Sequence, residues 1–244
     1  MKIPFIALGI SLFSGTVLSI SPSREGELFP DRCYPNPCRG IRYNSSFSDS
    51  VCGDVRLGPI KLPQRFPVST ELRTYSRFGG LCPAEFLIKW TGSLDPSRWY
   101  QYPGAQGFAN DTNNNPIVGD MMLTKGRKLD RFGNPTGNFL APLGAPYIER
   151  SLPPPNLAPA PNGGKYPYNY HVYEVLKPFA VGAGPVASWF GQPGMGSQFL
   201  TSMSVGDLVK NRFLRELAEA EFDEPEEYSY DQPRSGERRR RRSG

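Results

Sequence analysis

The sequence predicts an α+β fold, in which a small twisted antiparallel β-sheet lies beside a disulfide-bonded N-terminal region. Three observations support this prediction. Glycine and proline number 26 each in a chain of 244 residues, which is too many helix-breaking residues for long helices over most of the chain. Aromatic residues make up 12% of the chain, which is too many for a disordered protein. Short apolar segments separated by Asn, Pro and Gly are typical of strands joined by turns.

The N-terminus has the parts of a secretory signal peptide, predicted over residues 1–19. Lys2 supplies the positive start, the apolar run that follows carries no charge, and Val17-Leu18-Ser19 offers a cleavage site. An uncleaved membrane anchor is the alternative, but the small and polar residues within the run disfavour it. We therefore expect a secreted, extracellular protein without a stable membrane span.

Residues 20–115 form a predicted accessory region that holds all four cysteines of the chain: Cys33, Cys38, Cys52 and Cys82. An even number of cysteines in an exported protein predicts two disulfides, and the sequence does not choose among the three possible pairings. A zinc site is the alternative, but the spacing lacks paired C-x-x-C motifs and the single histidine, His171, excludes multi-histidine sites. The sequons at Asn44 and Asn110 predict glycosylation.

The segment 116–217 alternates strand and turn signals and is predicted as a second domain, because Asn113-Asn114-Asn115-Pro116 is a strong break. Strands are predicted over 117–124, 139–140 and 168–181, with Pro178 ending the last or placing it at an edge, and a surface loop over 152–167. The clearest helix signal begins at Ser204, which precedes apolar residues at 208, 209, 213 and 217.

The C-terminal residues 218–244 form an acidic and then arginine-rich tail, which accounts for the basic character of the chain. The formal net charge is +5, and removing six positive charges, Lys2 and those of Arg238 to Arg242, takes it to −1. A nucleic-acid interface needs basic residues interleaved with aromatic ones on a folded surface. A nucleic-acid binder is therefore an idea suggested by the isoelectric point alone, and no such partner is expected.

Several common catalytic motifs are missing from the sequence. No P-loop, nucleophile elbow or H-E-x-x-H motif occurs, so P-loop phosphoryl transfer, α/β-hydrolase and zincin chemistry lose support. Residues 182–187 match G-x-G-x-x-A, but Pro185 interrupts the helix that would receive a pyrophosphate. An ordinary turn is the better interpretation of that segment.

Five ordered segments carry the strongest functional signal: R-F-G at 131–133, G-N-F at 137–139, E-R-S-L-P-P at 149–154, Y-E-V at 173–175 and W-F-G-Q-P-G…Q-F at 189–199. In order and wording they resemble the NAD glycohydrolase domain of the tuberculosis necrotizing toxin (TNT) family, especially its secreted fungal members. The resemblance implies that residues 116–217 form a catalytic domain. That domain would hydrolyse the nicotinamide–ribose bond of NAD+ to nicotinamide and ADP-ribose, with no cofactor for the chemistry.

The resemblance also assigns residues, position by position. Catalysis falls on Arg131, Arg150 and Gln198, while Phe139 and the two arginines bind substrate and His171 has an accessory place in binding. Guanidinium groups suit a pyrophosphate, a phenyl ring can stack on nicotinamide or its ribose, and an amide can both donate and accept hydrogen bonds. Because nicotinamide leaves as a neutral molecule, no general acid is required.

The fungal members further imply a calcium ion of structural or regulatory role, with Asp223 and Glu224 as oxygen ligands, although no EF-hand pattern is present. They imply a homodimer and a location that includes the cell or spore surface. Two alternatives stay open for the activity. The same intermediate could pass to a protein or to the adenine, as in an ADP-ribosyl transferase or cyclase, or the fold could serve as an inactive secreted binding module.

Overall fold

A computed structural model describes residues 29–159 and 168–222. Within these ranges the chain forms seven strands: β1 (Gly119–Leu123), β2 (Lys128–Phe132), β3 (Phe139–Pro142), β4 (Tyr170–Val175), β5 (Phe179–Pro185), β6 (Ser197–Leu200) and β7 (Leu214–Glu216). Three short α-helices accompany them: α1 (Val68–Glu71), α2 (Pro83–Thr91) and α3 (Val205–Lys210). None of the helices in this part of the chain is long and apolar enough to span a membrane.

The seven strands form one sheet with the order β1-β5-β6-β3-β2-β4-β7, and every neighbouring pair is antiparallel. The predicted α+β fold with an antiparallel sheet and a disulfide-bonded N-terminal region is therefore confirmed. In the register of the sheet, Arg131 of β2 lies opposite His171 of β4, and Phe139 of β3 lies opposite Leu200 of β6. These central strands position the residues discussed below.

The strand predicted over 168–181 is in fact parts of two strands. The segment up to Val175 pairs with β2 and β7, whereas the segment from Phe179 pairs with β1 and β6, so the two lie in different parts of the sheet. Pro178 lies between them, as its missing N–H group favours. Of the two predicted effects of Pro178, ending a strand is the one observed.

The helix predicted from Ser204 is shorter than its apolar pattern indicated. Ser204 Oγ accepts a hydrogen bond from the Asp207 N–H at 3.1 Å, which confirms the predicted cap, but α3 ends at Lys210. Arg212 then adopts a positive φ of 58°, and the chain returns as β7 along β4. The helical prediction beyond residue 210 is wrong, because pairing at the sheet edge buries Leu214 and Leu217 without a helix.

The four cysteines form two disulfides, Cys33–Cys82 and Cys38–Cys52. Both predicted bonds are confirmed, the pairing is decided, and no thiol is left for the zinc alternative. The first bond fixes the start of α2, where the Glu85 carboxylate accepts a hydrogen bond from the Cys82 N–H at 2.9 Å. A proline at the first helical position adds to this start signal.

Two of the three buried clusters combine the N-terminal region with the sheet. Val68 and Leu72 pack with Tyr147 and Tyr170 in one cluster. In another, Phe190 of the W-F-G-Q segment packs with N-terminal aromatic residues: Phe78, Phe86 and Tyr100. The third cluster lies between the sheet and α3. The N-terminal region therefore packs as one body with the sheet, on both sides of the predicted boundary at residue 115.

Candidate active site

A cavity of about 440 Å³ opens where the N-terminal region meets the sheet. Its walls come from β2, β3, β6, the turn ending at Arg150 and the N-terminal segment 102–107. Four residues assigned from the resemblance line it together: Arg131, Phe139, Arg150 and Gln198. The fold thus brings into one site residues that span 68 positions of sequence.

Arg131 is oriented by backbone carbonyls rather than by an acid. Its Nε donates to the Asn134 carbonyl and its Nη1 to the Phe139 carbonyl, both at 2.8 Å. Among the described residues, Arg131 forms no ion pair and Nη2 has no hydrogen-bond partner. Burial lowers the pKa of Arg131 below its usual value, but a guanidinium stays charged in proteins. Arg131 is therefore a cation held ready for an anionic ligand.

Gly137 makes room for this guanidinium. A Cβ atom built on Gly137 would lie 2.0 Å from Arg131 Nη2 and 2.7 Å from Cζ. These distances are far inside van der Waals contact, so any other residue at position 137 would displace the arginine. The G-N-F motif therefore has a steric reason for its glycine.

Arg150 is held quite differently, by buried carboxyl groups. Its Nη1 and Nη2 donate to the two oxygens of Asp130, with Nη2 to Oδ2 at 2.7 Å, and its Nε donates to the Ala145 carbonyl at 3.0 Å. Burial opposes its charge, but the carboxylates of Asp130 and Glu71 outweigh burial and raise the pKa of Arg150. Nη1 donates to Asp130 alone among the described residues, so its second N–H has no hydrogen-bond partner there.

Glu71 and Tyr170 complete the cluster around Arg150. The Tyr170 hydroxyl lies 3.1 Å from Glu71 Oε1 and 3.0 Å from Asp130 Oδ2. Burial raises the pKa of Glu71 from 4.5 to about 8, because its effect outweighs the attraction of Arg150 and repulsion from Asp130 adds to it. Glu71 is therefore mostly protonated at neutral pH, which leaves one cation and one anion in the cluster.

Gln198 lies on β6 and lines the cavity. Its Nε2 donates to the Gln106 carbonyl at 2.9 Å. Because a carbonyl only accepts hydrogen bonds, this contact fixes which end of the amide faces the N-terminal region. Oε1 has no hydrogen-bond partner in the described part of the chain, so it is free to accept from a ribose hydroxyl or water.

Phe139 contributes its ring to the wall of the cavity and its carbonyl group to the orientation of Arg131. Its half-buried ring lines the cavity, and no aromatic ring among the described residues stacks on it. The carbonyl of the same residue accepts the hydrogen bond from Arg131 Nη1. The ring is therefore free to receive a flat heterocycle beside the oriented guanidinium.

The remaining predicted site residues lie elsewhere. His171 does not line the cavity, although it is next to Arg131 in the sheet, and its Nδ1 lies 2.7 Å from Glu216 Oε1. Asp223 and Glu224, the predicted calcium ligands, fall outside the described residues. Within residues 29–159 and 168–222, no group of three His, Cys, Asp or Glu side chains could hold a metal ion.

Sequence reasoning missed Asp130, Tyr170 and Glu71. Asp130 had no clear local signal, because it lies between Leu129 and Arg131 in a strand that also contains Lys128, so nothing in the pattern marked it as a buried acid in need of a cationic partner. Glu71 had none, since 79 positions separate it from Arg150 and only the fold brings the two together.

Comparison with known proteins identifies a family and a fungal relative. Residues 122–217 match the family described as tuberculosis necrotizing toxin, TNT. The chain is 57% identical over 219 residues to the conidial surface nicotinamide adenine dinucleotide glycohydrolase nadA of Aspergillus fumigatus, covering 90% of this chain and 92% of that protein.

Solved structures are similar at a lower level. One is tuberculosis necrotizing toxin complexed with its immunity factor IFT, 19% identical, covering 75% of this chain and 87% of the other, with a TM-score of 0.38. Another is Rhs1-CT in complex with its cognate immunity protein RhsI1, also 19% identical, covering 47% of this chain and 88% of the other, with a TM-score of 0.30. These scores are too low to carry a structural argument.

The fold and the cavity define an α+β protein with an antiparallel sheet, whose cavity is lined by two arginines, a glutamine and a phenylalanine, among other residues. The chain belongs to the tuberculosis necrotizing toxin family, since residues 122–217 match that family and a fungal relative is 57% identical over nine-tenths of the chain. The resemblance read from the five motifs is confirmed.

Proposed function

We propose that this protein is an NAD+ glycohydrolase, which hydrolyses the nicotinamide–ribose bond to give nicotinamide and ADP-ribose. The observation that carries the proposal is the convergence of Arg131, Phe139, Arg150 and Gln198 on one cavity of about 440 Å³. That volume is within the range of small-molecule sites. The name of the Aspergillus fumigatus relative, which is an NAD glycohydrolase, supports the same activity.

The two arginines have different parts in this proposal. Arg131 offers a free Nη2 and an uncompensated charge, so it binds the pyrophosphate. Most N–H groups of Arg150 donate to Asp130 and Ala145, which hold the guanidinium in place. Arg150 therefore offers the substrate a single oriented N–H. Phe139 packs against nicotinamide or the adjoining ribose.

The reaction itself needs little proton transfer. The C1′–N bond breaks and its electron pair goes to the pyridinium nitrogen, which makes nicotinamide neutral and leaves positive charge on the ribose. Gln198 Oε1 accepts a hydrogen bond from a ribose hydroxyl or from the attacking water and so fixes its position. Water adds at C1′ and releases its proton to solvent, giving ADP-ribose.

The test is product analysis with purified protein and NAD+. We expect nicotinamide and ADP-ribose in equal amounts, and we expect Gln198→Ala and Arg150→Ala to lower kcat at least about 100-fold, as loss of an oriented polar group does. The exposed residues Gln64 and Arg42 provide matched control substitutions to Ala. Cyclic product or modified protein in place of ADP-ribose would favour a cyclase or transferase, and full activity in both site variants would refute the site.

Further properties are proposed on the signal peptide, the sequons and the resemblance. The protein is secreted and lies at the cell or spore surface or outside the cell, as the conidial surface relative supports. It is glycosylated at Asn44 and Asn110, both of which are exposed. His171 assists binding through its neighbour Arg131. Glycosidase treatment with mass spectrometry tests the glycans, and His171→Ala should raise KM with little effect on kcat.

A homodimer and a bound Ca²⁺ complete the proposal. Calcium held by Asp223 and Glu224 would order or tune the domain rather than attack substrate. Adding a chelator should lower the melting temperature or change the rate, and Asp223→Asn with Glu224→Gln should remove that response. Sedimentation should give twice the monomer mass. A monomer, or a chelator without effect, would refute these two points.

A further inference from the structure

Besides the cavity-lining segment 102–107, the N-terminal region places one buried carboxyl group next to the active site. Glu71 is the last residue of α1, only 2% exposed, and lies outside the segment 122–217 that matches the family. Val68 and Leu72 hold this helix in the cluster shared with the sheet. A carboxyl group this deeply buried, on a helix that does not itself line the cavity, needs a functional or structural reason.

The contacts of Glu71 all lead to Arg150. Its Oε2 lies 3.1 Å from Arg150 Nη2, without a well-directed hydrogen bond, and its Oε1 receives the Tyr170 hydroxyl, which also reaches Asp130. Asp130, on β2, accepts hydrogen bonds from the guanidinium, while Glu71, on α1, lies close to Nη2 of the same group. Two groups on separate elements restrict the guanidinium more than one does.

We propose that Glu71 is a positioning residue, which holds Arg150 against the cavity wall and sets the charge beneath the NAD+ site through its own proton. The proposal rests on the proposed function, since Arg150 matters here as a residue of an NAD+ site. In this proposal the N-terminal region acts on the active site through Glu71, in addition to packing against the sheet.

The charge count explains what the proton does. The groups that face Glu71 are Arg150, Asp130 and Tyr170. With Glu71 protonated, the positive Arg150 and negative Asp130 balance. When Glu71 ionises, with a pKa of about 8, the cluster gains one negative charge next to the cavity that would receive NAD+, whose pyrophosphate is a dianion. Like charges repel at short range in a buried site, so binding weakens as the pH rises.

The experiment compares pH profiles of kcat and KM for NAD+ between pH 6 and 9.5. We expect wild-type kcat/KM to fall at least about threefold from pH 7 to pH 9, mainly through a rise in KM. Glu71→Gln cannot ionise, so its kcat/KM should not fall over that range. Asp49→Asn, an exposed acid of the same region, should keep the wild-type profile. An alkaline fall in Glu71→Gln equal to that of wild type would overturn the proposal.

Glu71→Ala gives a second measurement. It leaves Arg150 with a looser support, so kcat at pH 7 should fall about tenfold or more, and Glu71→Gln should restore part of this loss. Thermal melting of each variant separates a positioning effect from misfolding. Wild-type kcat in a folded Glu71→Ala protein would refute the positioning role.

A binding measurement keeps this inference distinct from the proposed function. Calorimetry with ADP-ribose, which carries the same pyrophosphate, should show affinity falling from pH 7 to pH 9 in wild type but not in Glu71→Gln. If the protein releases no nicotinamide yet shows this pattern, the proposed activity fails and Glu71 keeps its role. If binding has the same pH dependence in both proteins, the role of Glu71 fails even where hydrolysis is observed.

Discussion

The two arginines of the cavity differ at the scale of single residues in how their charge is met. Arg150 is paired with Asp130 inside the protein, whereas the only partners of Arg131 among the described residues are the Asn134 and Phe139 carbonyls. A paired charge attracts a ligand weakly because its field is already cancelled, while an unpaired one attracts it strongly. Affinity for the pyrophosphate should therefore come mainly from Arg131.

Replacing Arg131 with Gln tests this division. The variant removes a charged hydrogen bond to the pyrophosphate, typically about 1.5–3 kcal/mol, so KM for NAD+ should rise about 10- to 100-fold. Steady-state kinetics measure it, and Arg42→Gln on the surface is the control. An unchanged KM with reduced kcat would assign Arg131 to the chemical step instead.

Gly137 gives a steric test of the same residue. Gly137→Ala would place a Cβ atom 2.0 Å from Arg131 Nη2, so the guanidinium must move away from its two carbonyl partners. We expect kcat/KM to fall about tenfold or more in a folded protein, as small misplacements of binding groups cause. Gly119→Ala is the matched control, because a Cβ there meets nothing within 4 Å. Equal activity in both variants would contradict the placement of Arg131.

At the scale of elements, α2 depends on the disulfide at its start. Cys33–Cys82 closes a longer stretch of chain than Cys38–Cys52, with sequence separations of 49 and 14. Crosslinks over longer loops restrict the unfolded chain more strongly. The first disulfide is thus the stronger stabiliser of the region that supplies Glu71 and the Gln106 carbonyl.

Double Cys→Ser variants measure this difference. Removing Cys33–Cys82 should lower the free energy of unfolding by about 4 kcal/mol, and removing Cys38–Cys52 by about 3 kcal/mol. Urea denaturation of each protein gives both values. The reverse order would show that contacts of the folded state, rather than the unfolded chain, set the contribution of each bond.

At the scale of the whole molecule, the burial of Glu71 links stability to pH. Its pKa is 4.5 in an unfolded chain and about 8 in the folded protein, so between these values the folded state holds a proton that the unfolded state has released. The stability contribution of this group is therefore largest below pH 4.5 and falls as the pH rises to about 8.

Glu71→Gln removes that penalty. Relative to wild type, the variant should gain stability steadily from pH 5 to pH 8 and change little above pH 8. Denaturant unfolding at several pH values measures the difference, with Asp49→Asn as the control. A constant difference across this range would mean that Glu71 keeps the same charge in both states.

The four residues assigned from the family resemblance lie together in the structure, whereas some of the predicted elements were wrong. Arg131, Phe139, Arg150 and Gln198 belong to separate motifs along the chain, and they line one cavity. The apolar spacing at 208–217 led to a helix prediction that is wrong beyond residue 210, because positions such as 213 and 217 fit both a helix and a sheet-edge strand. The apolar period does not show that β4 has a free edge with which this segment can pair. That pairing depends on contacts between residues far apart in the sequence.

By itself, the sequence determined the fold class, the oxidised N-terminal region and the family, because these depend on composition and on short motifs. The family resemblance then pointed to four residues that line the cavity. Only the tertiary structure decided the disulfide pairing, the charge balance at Arg150 and the contribution of Glu71 and Gln106. The physical reason is distance along the chain. Burial and electrostatic partners arise from contacts between residues dozens of positions apart, and no local pattern encodes them.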